Sequence, residues 1–264
     1  MKFHRLGITV ASLCAAGIVN AAALTPIEIN MSHAIVDRWV EQAFDGKENF
    51  FTKHITFFTP PKPQIVPVSE LVKVYSENEL KGNHLFKNKG EFMIYTGTVG
   101  EVDQNYRGNP RVTAKTEPFC KATPHFVFPN TEAVMNELME YQKGQPFKFA
   151  CKCKGLDMFF VTLDDCFTVE TLKDLINQNT DKSIEQIQRG INPEKTKFGP
   201  VIGFGIRMAS VLPEEGKEAC SKNQEACSKW YLTWRDSPAG KKYVQEADMN
   251  GGLLRMKELG YAVK

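Results

Sequence analysis

Between residues 90 and 166 the hydrophobic pattern repeats every two residues, and this constrains the fold more than any other feature of the chain. The segment "GEFMIYTGTVGEV" alternates and is rich in β-branched and aromatic residues, so it reads as a strand. Gly97 and Gly100 inside it mark a sharp bend or a bulge. "QNYRGNP" is a turn, "RVTAKTE" alternates polar and apolar residues, and "HFVFPN" is a short strand. "NTEAVMNELMEYQKG" changes to a helical period. Asn130 or Thr131 is its cap, Val134, Leu138 and Tyr141 share a face, and Gly144 closes it. "PFKFACKC" and "MFFVTLDDC" flank the turn "KGLD" as two further strands.

The flanks differ. "MSHAIVDRWVEQAF", residues 31 to 44, sets Ile35, Val36, Trp39, Val40 and Phe44 on a helical stripe, with Ser32 as candidate N-cap. "FTPPKPQIVP" has four prolines in ten residues and reads as an extended linker without regular structure. "VSELVKVYSENELKGNHLF" is helical, with Ser69 as candidate cap and Leu71, Val72, Tyr75 and Leu80 on one side. From 167 to 264 the chain is mainly helical, starting with "TVETLKDLINQN" capped by Thr168, then "SIEQIQRGI". "FGPVIGFGIRMASVL" is glycine-rich and fits strand or helix.

The order β-β-β-α-β-β predicts an α+β protein built on a five-stranded OB-type Greek-key β-barrel, with a helix between strands three and four. An N-terminal helix and a mainly helical C-terminal region flank it. The stretch "VYSENELKGNHLFKNKGEFMIYTGTVGEV" resembles the opening of the bacterial tRNA_anti-like OB-fold family. The positions that carry the resemblance are Tyr75, Asn78, Glu79, Lys87, Lys89, Thr96, Gly97 and Val99, followed by Lys143-Gly144 and Leu163-x-x-Cys166. It covers roughly residues 72 to 166 and implies an exported OB barrel without a defined activity, because fold does not fix function. The expected organisation is a leader at 1–23, a helix and Pro-rich linker at 24–70, the OB domain at 71–166 and helices at 167–264.

The first residues, "MKFHRLGITVASLCAAGIVNAAALTP", have the form of a secretory signal peptide. Lys2 and Arg5 precede an apolar run of about 14 residues, and small residues follow at Ala21 to Ala23. The run is shorter than the ~20 residues a spanning helix needs. Cys14 lies mid-run behind the bulky Leu13, which does not suit lipid attachment. The expected product is periplasmic or secreted, with no transmembrane segment. Removing Lys2 and Arg5 from 33 basic residues leaves 31 against 31 acidic ones. Nucleic-acid binding, which feeds on basic excess, is disfavoured.

Export also frames the six remaining cysteines: Cys120, Cys151, Cys153, Cys166, Cys220 and Cys227. An even count in an exported chain favours disulfides, and Cys-x-Cys is not zinc spacing. No metal or other cofactor is expected. On one strand Phe147, Phe149, Cys151 and Cys153 share the inner face, and Lys148, Lys152 and Lys154 the outer. Neighbouring cysteines on one face lie about 6.5–7 Å apart, which is long for a bond between them. With a two-residue turn at Gly155-Leu156, Cys166 falls opposite Gln145, ~20 Å from Cys151. That register permits Cys151–Cys166 only if the hairpin is distorted, whereas in an OB barrel the strand after Cys120 would run parallel to the last strand and start near Cys153, which favours Cys120–Cys153. Cys220 and Cys227 would stand about 10.5 Å apart on an unbroken helix, so their pairing demands a turn at residues 221 to 223.

No catalytic motif is present in the sequence. His33, His54, His84 and His125 sit in no metal or general-base pattern. "GFG" at 203–205 reads as packing, and Asp164-Asp165 as a solvated strand end with carboxylates on opposite faces. Trp230, Tyr231 and Trp234 read as core of the helical tail. The candidate binding surface is the outer row of the second strand, Arg111, Thr113 and Lys115, with His125 nearby and Tyr106 and Arg107 in the loop before it. Arg and Tyr suit an anionic or sugar-like ligand. The expected function is a non-enzymatic, exported OB-fold module of the cell envelope that binds a small molecule, glycan or protein. The alternatives are a scaffold acting through its C-terminal helices and an envelope hydrolase.

Overall fold

Thr25-Pro26 starts the first helix, α1 (Pro26–Phe44), in a computed structural model that describes residues 23–49, 52, 63–87, 91–117, 121–246 and 250–262. All of the expected leader except Ala23 lies outside those residues, as do Cys120 and His54. Thr25 Oγ1 accepts from Glu28 N (3.3 Å) and Glu28 Oε2 accepts from Thr25 N (2.7 Å), a reciprocal capping box with proline at the first helical position. The cap is therefore Thr25 and not Ser32, which is buried mid-helix with its hydroxyl donating to Glu28 O.

β1 (Ile65–Pro67) corrects the reading of the proline-rich stretch as structureless. It pairs parallel with Ile94–Thr96, and Pro67 is its last residue, where a missing N–H is tolerated. α2 (Val68–Glu77) follows, then a short α3 (Glu79–Gly82) that Asn78 caps, and a π-helical turn (Asn83–Lys87). Asn78 thus splits the single helix expected here, leaving Leu80 80% exposed.

β2 (Met93–Gln104) is the longest path through the sheet, together with β5 (Pro146–Asp157). Its first half pairs with β5 through Met93–Thr98, and its second half with β3 (Pro110–Ala114). The register shifts between Val99 and Glu101, at Gly100. A Cβ there would lie 3.1 Å from the backbone of Thr113, Ala114 and Lys115, so only glycine lets β3 approach. β3 pairs antiparallel with β4 (Thr123–Val127), β4 parallel with β6 (Phe160–Phe167), and β6 antiparallel with β5. α4 (Glu132–Met139), capped by Thr131, links β4 to β5.

These pairings overturn the expected five-stranded OB-type Greek-key barrel. The sheet has six strands in the order β1-β2-β3-β4-β6-β5 and mixes parallel with antiparallel pairs. Helix makes up 55% of the described residues, so the chain is α+β with a larger helical part than the barrel reading allowed. The strand positions were legible from alternation. Alternation carries no information on how many strands join a sheet, and three residues such as Ile65–Pro67 are too short to show a period.

The remaining helices are α5 (Val169–Gln188), capped by Thr168, α6 (Gly199–Ser210), α7 (Glu214–Lys222), α8 (Gln224–Asp236), α9 (Pro238–Glu246) and α10 (Asn250–Glu258). α1 packs against α5, α6, α7 and α8. The glycine-rich segment is helix, and a Cβ on Gly205 would come within 2.1 Å of Ser32 Oγ, so this glycine permits the α1–α6 contact. Of the three apolar clusters among the described residues, two are large. One lies between α1 and the C-terminal helices and reaches Phe92, Ile94 and Ala150 of the sheet. The other holds Tyr95, Phe126, Phe147, Phe149 and Cys151. Tyr231 is buried, and Trp230 stacks on Trp234 at 4.8 Å beside the first cluster.

Cys151 and Cys166 pair, with Cα atoms 4.3 Å apart, as do Cys220 and Cys227, at 4.2 Å. The β5–β6 turn is Met158-Phe159, between the partners Asp157 and Phe160, and not Gly155-Leu156. Moving a hairpin turn by three residues moves the register by six, which carries Cys166 from Gln145 to Cys151. Irregularities at Lys154 and near Asp165, whose φ is 53°, let both strands stay paired. Cys153 is buried with no disulfide partner among the described residues; Cys120, its favoured partner from the sequence, lies outside them. The second pair forms because α7 ends at Lys222 and Asn223 caps α8, the break that the spacing demanded.

Cys151–Cys166 spans 15 residues. The double variant Cys151→Ala/Cys166→Ala should lose about 3 kcal/mol of unfolding free energy through regained chain entropy. Urea unfolding of both proteins without reductant measures this.

Candidate functional site

Alternation along β3 buries Val112 and Ala114 and turns Arg111 and Thr113 outward. The neighbouring strands present a matching row. His125 of β4 lies opposite Thr113 on one side and Thr162 of β6 on the other, and Thr123 lies beside Phe160. These outward residues floor a cleft of about 660 Å³, rimmed by Glu101, Asn105, Tyr106, Arg107 and Asp164.

The loop before β3 is held by its own amides. Asn105 Oδ1 accepts from the backbone N–H of Arg107 (2.9 Å) and Asn109 (3.0 Å), and Gly108 takes a positive φ of 77°. This lifts Tyr106 into solvent, 89% exposed, with the Arg107 guanidinium 5.2 Å from its ring centre. On the floor, the His125 and Phe160 rings stack at 4.1 Å.

Arg111 is already committed. Its Nε donates to Asp103 Oδ1 (2.7 Å) and its Nη2 to Asp103 Oδ2, a forked pair directly across β2–β3. Its hydrogen bonds hold the Asp103 carboxyl below the usual range. Nη1 lies 3.4 Å from His125 Nδ1. Burial, aided by the adjacent Arg111 charge, pushes the His125 imidazole down to about 4, so it is neutral at physiological pH.

Of the residues singled out from the sequence, Arg111, His125, Tyr106 and Arg107 share this cleft. Lys115 does not, and lines a separate one with Lys73 and Lys121. Sequence reading missed Asp103 and, on β6, Phe160 and Thr162, and took Asp164 for a solvated strand end. Their alternation was visible, but the misplaced hairpin turn hid what they faced. Asp164 lines the cleft, whereas Asp165 pairs with Lys152 at 3.0 Å, so the two carboxylates diverge as adjacent strand residues do.

A second polar group lies among the helices. His33 Nδ1 is 2.8 Å from Asn177 Oδ1, and its Nε2 is 2.9 Å from Asp181 Oδ1. Asn177 Nδ2 donates to Asp37 Oδ1 (2.8 Å), and Ser228 Oγ donates to Asp37 Oδ2 (2.6 Å). His33 and Asp37 are four apart on α1, and Asn177 and Asp181 four apart on α5, so each pair shares a helix face. Ser228 reaches the imidazole only through Asp37 and Asn177. The arrangement ties α1, α5 and α8 together and does not activate a nucleophile.

Among the described residues, no group of three His, Cys, Asp or Glu is placed to hold a metal ion, and no helix is long and apolar enough to cross a membrane. No protein-family model matches this chain, and no curated protein matches it.

His125 has a testable signature. Its folded value is depressed below the ordinary 6.5, so the unfolded chain binds more protons between about pH 4 and 6.5. Its contribution to stability is fully present above pH 6.5 and lost as pH falls towards 4. Urea unfolding across that range should show this slope in the native protein and a shallower one in His125→Gln.

Proposed function

We propose that this chain is an exported, non-enzymatic binding protein that takes a sugar-like ligand in the β3–β4–β6 cleft. The observation that carries the reading is the stacked His125–Phe160 pair in a cleft also lined by the exposed Tyr106 and by hydrogen-bonding side chains. A sugar ring presents C–H groups on its faces and hydroxyls on its edges. Such a ligand suits aromatic faces surrounded by carboxylates, amides and hydroxyls, here Glu101, Asn109, Thr123, Thr162 and Asp164.

Charge argues for this ligand over the anionic one that Arg111 first suggested. The lining carries Arg107 and Arg111 against Glu101, Asp157 and Asp164, and the Arg111 fork is occupied by Asp103. An anion entering here would meet more negative than positive side chains. Export is supported by the leader-like N-terminus and by two cysteine pairs at bonding distance, which persist in oxidising compartments.

An oligosaccharide panel tests the proposal. The native protein should bind one class of neutral oligosaccharide without cleaving it. Phe160→Ala and Tyr106→Ala should each weaken that binding about tenfold, which is ~1.4 kcal/mol, with melting temperatures changed by only a few degrees. Both rings are largely on the surface, 42% and 89% exposed, so stability and binding separate. Equal binding by the variants would remove the cleft from the interaction, and release of new reducing ends would make the protein an enzyme.

A further inference from the structure

Another cleft lies elsewhere and has the opposite electrical character. It measures about 970 Å³ and opens between α2 and the β2–β3 face. Lys73 enters from α2, Lys115 from the end of β3 and Lys121 from the segment before β4, so three separate parts of the chain bring a cation to one place. Glu117 is the single carboxylate in the lining. Among the described residues none of the three lysines forms an ion pair, whereas Lys148, Lys152 and Lys173 each do.

From these observations we propose that this cleft is a binding site for an oxyanion, a phosphate or carboxylate group carried by a ligand. Three lysines against one carboxylate give the lining a net positive charge, and a concave wall concentrates that field on an entering anion. Hydroxyls line the same cleft. Ser69 and Ser76 come from one face of α2, and Thr96 and Thr98 from β2. Pro67, Val68 and Ser69 line it as well, at the start of α2, where no side chain caps the first-turn amides. Those amides and the positive helix pole add to the lysines. The seat of α2 depends on Gly97, where a Cβ would lie 2.9 Å from Val68 Cγ2 and from Phe147 Cζ.

The proposal stands apart from the sugar-binding reading. The two clefts meet along the outer row of β3, where Thr113 lines one and Lys115 the other, but share no lining residue. Either can fail alone.

The test is an amide NMR titration of the whole protein with inorganic phosphate and, separately, with citrate, at constant ionic strength. Saturable shifts are expected in residues 69–73, 96–98 and 115–117. The triple variant Lys73→Gln/Lys115→Gln/Lys121→Gln should bind at least tenfold more weakly. Arg107→Gln, in the other cleft, should titrate as the native protein does. Saturation with phosphate alone assigns a phosphate group, with citrate alone a carboxylate, and with both an oxyanion of either kind. Lys115→Gln alone should lose about threefold, which keeps the test decisive should the triple variant fold poorly. Absence of saturable shifts with both anions, or lysine variants that titrate like the native chain, overturns the proposal.

Discussion

The pairing of β2 with β5 is the constraint on which the rest of the structure depends. Met93, Ile94 and Tyr95 are all fully buried, as are their partners Phe149, Ala150 and Cys151. Alternation sends Tyr95, Phe149 and Cys151 into the sheet's own cluster, and Ile94 and Ala150 into the cluster shared with α1 and the C-terminal helices. Each buried side chain of this size contributes about 1.5–3 kcal/mol. A slip of one residue would exchange the two sets and place Tyr95 against helices that fit Ile94. Neither apolar cluster can be repacked without disturbing the other.

The functional face follows from that arrangement. The β2–β5 pairing ends at Thr98, and β2 runs on beside β3 with a register shift at Gly100, the outer row of β3 facing away from the core. The side chains of that row then diverge in role. Arg111 is held by Asp103, next to the proposed sugar cleft, while Lys115 stands two residues beyond Thr113 among other lysines. A chain with equal numbers of acidic and basic residues after its expected leader thus keeps two oppositely charged concavities side by side. Net charge describes solubility and long-range attraction, and local recognition depends on which charges are already paired.

Polar contacts in the helical part serve cohesion. The group running from Asp181 through His33, Asn177 and Asp37 to Ser228 is buried apart from Asp181, whose side chain is 57% exposed. Buried polar groups are costly unless each finds a partner, so such a group specifies one packing of α1 against α5 and α8 where apolar contacts alone would tolerate several. Glu28 acts similarly at the end of α1, closing the cap box while it pairs with Arg255 of α10 at 2.8 Å.

Local pattern alone determined the strands of the alternating segment that ends at Cys166, the cap at Thr168 and the choice of Asn130 or Thr131 for another, the glycine irregularity in β2, the inward row from Phe147 to Cys153 and the break between Cys220 and Cys227. These depend on residues within a few positions of one another, where period and turn chemistry act. Tertiary structure decided the number of strands, the turn at Met158-Phe159, the partner of Cys151 and the separation of Lys115 from Arg111. Each of those turns on register or on contacts between distant segments. An alternating strand can slide by two residues without changing which side chains face inward, so only packing against its neighbours selects among the choices.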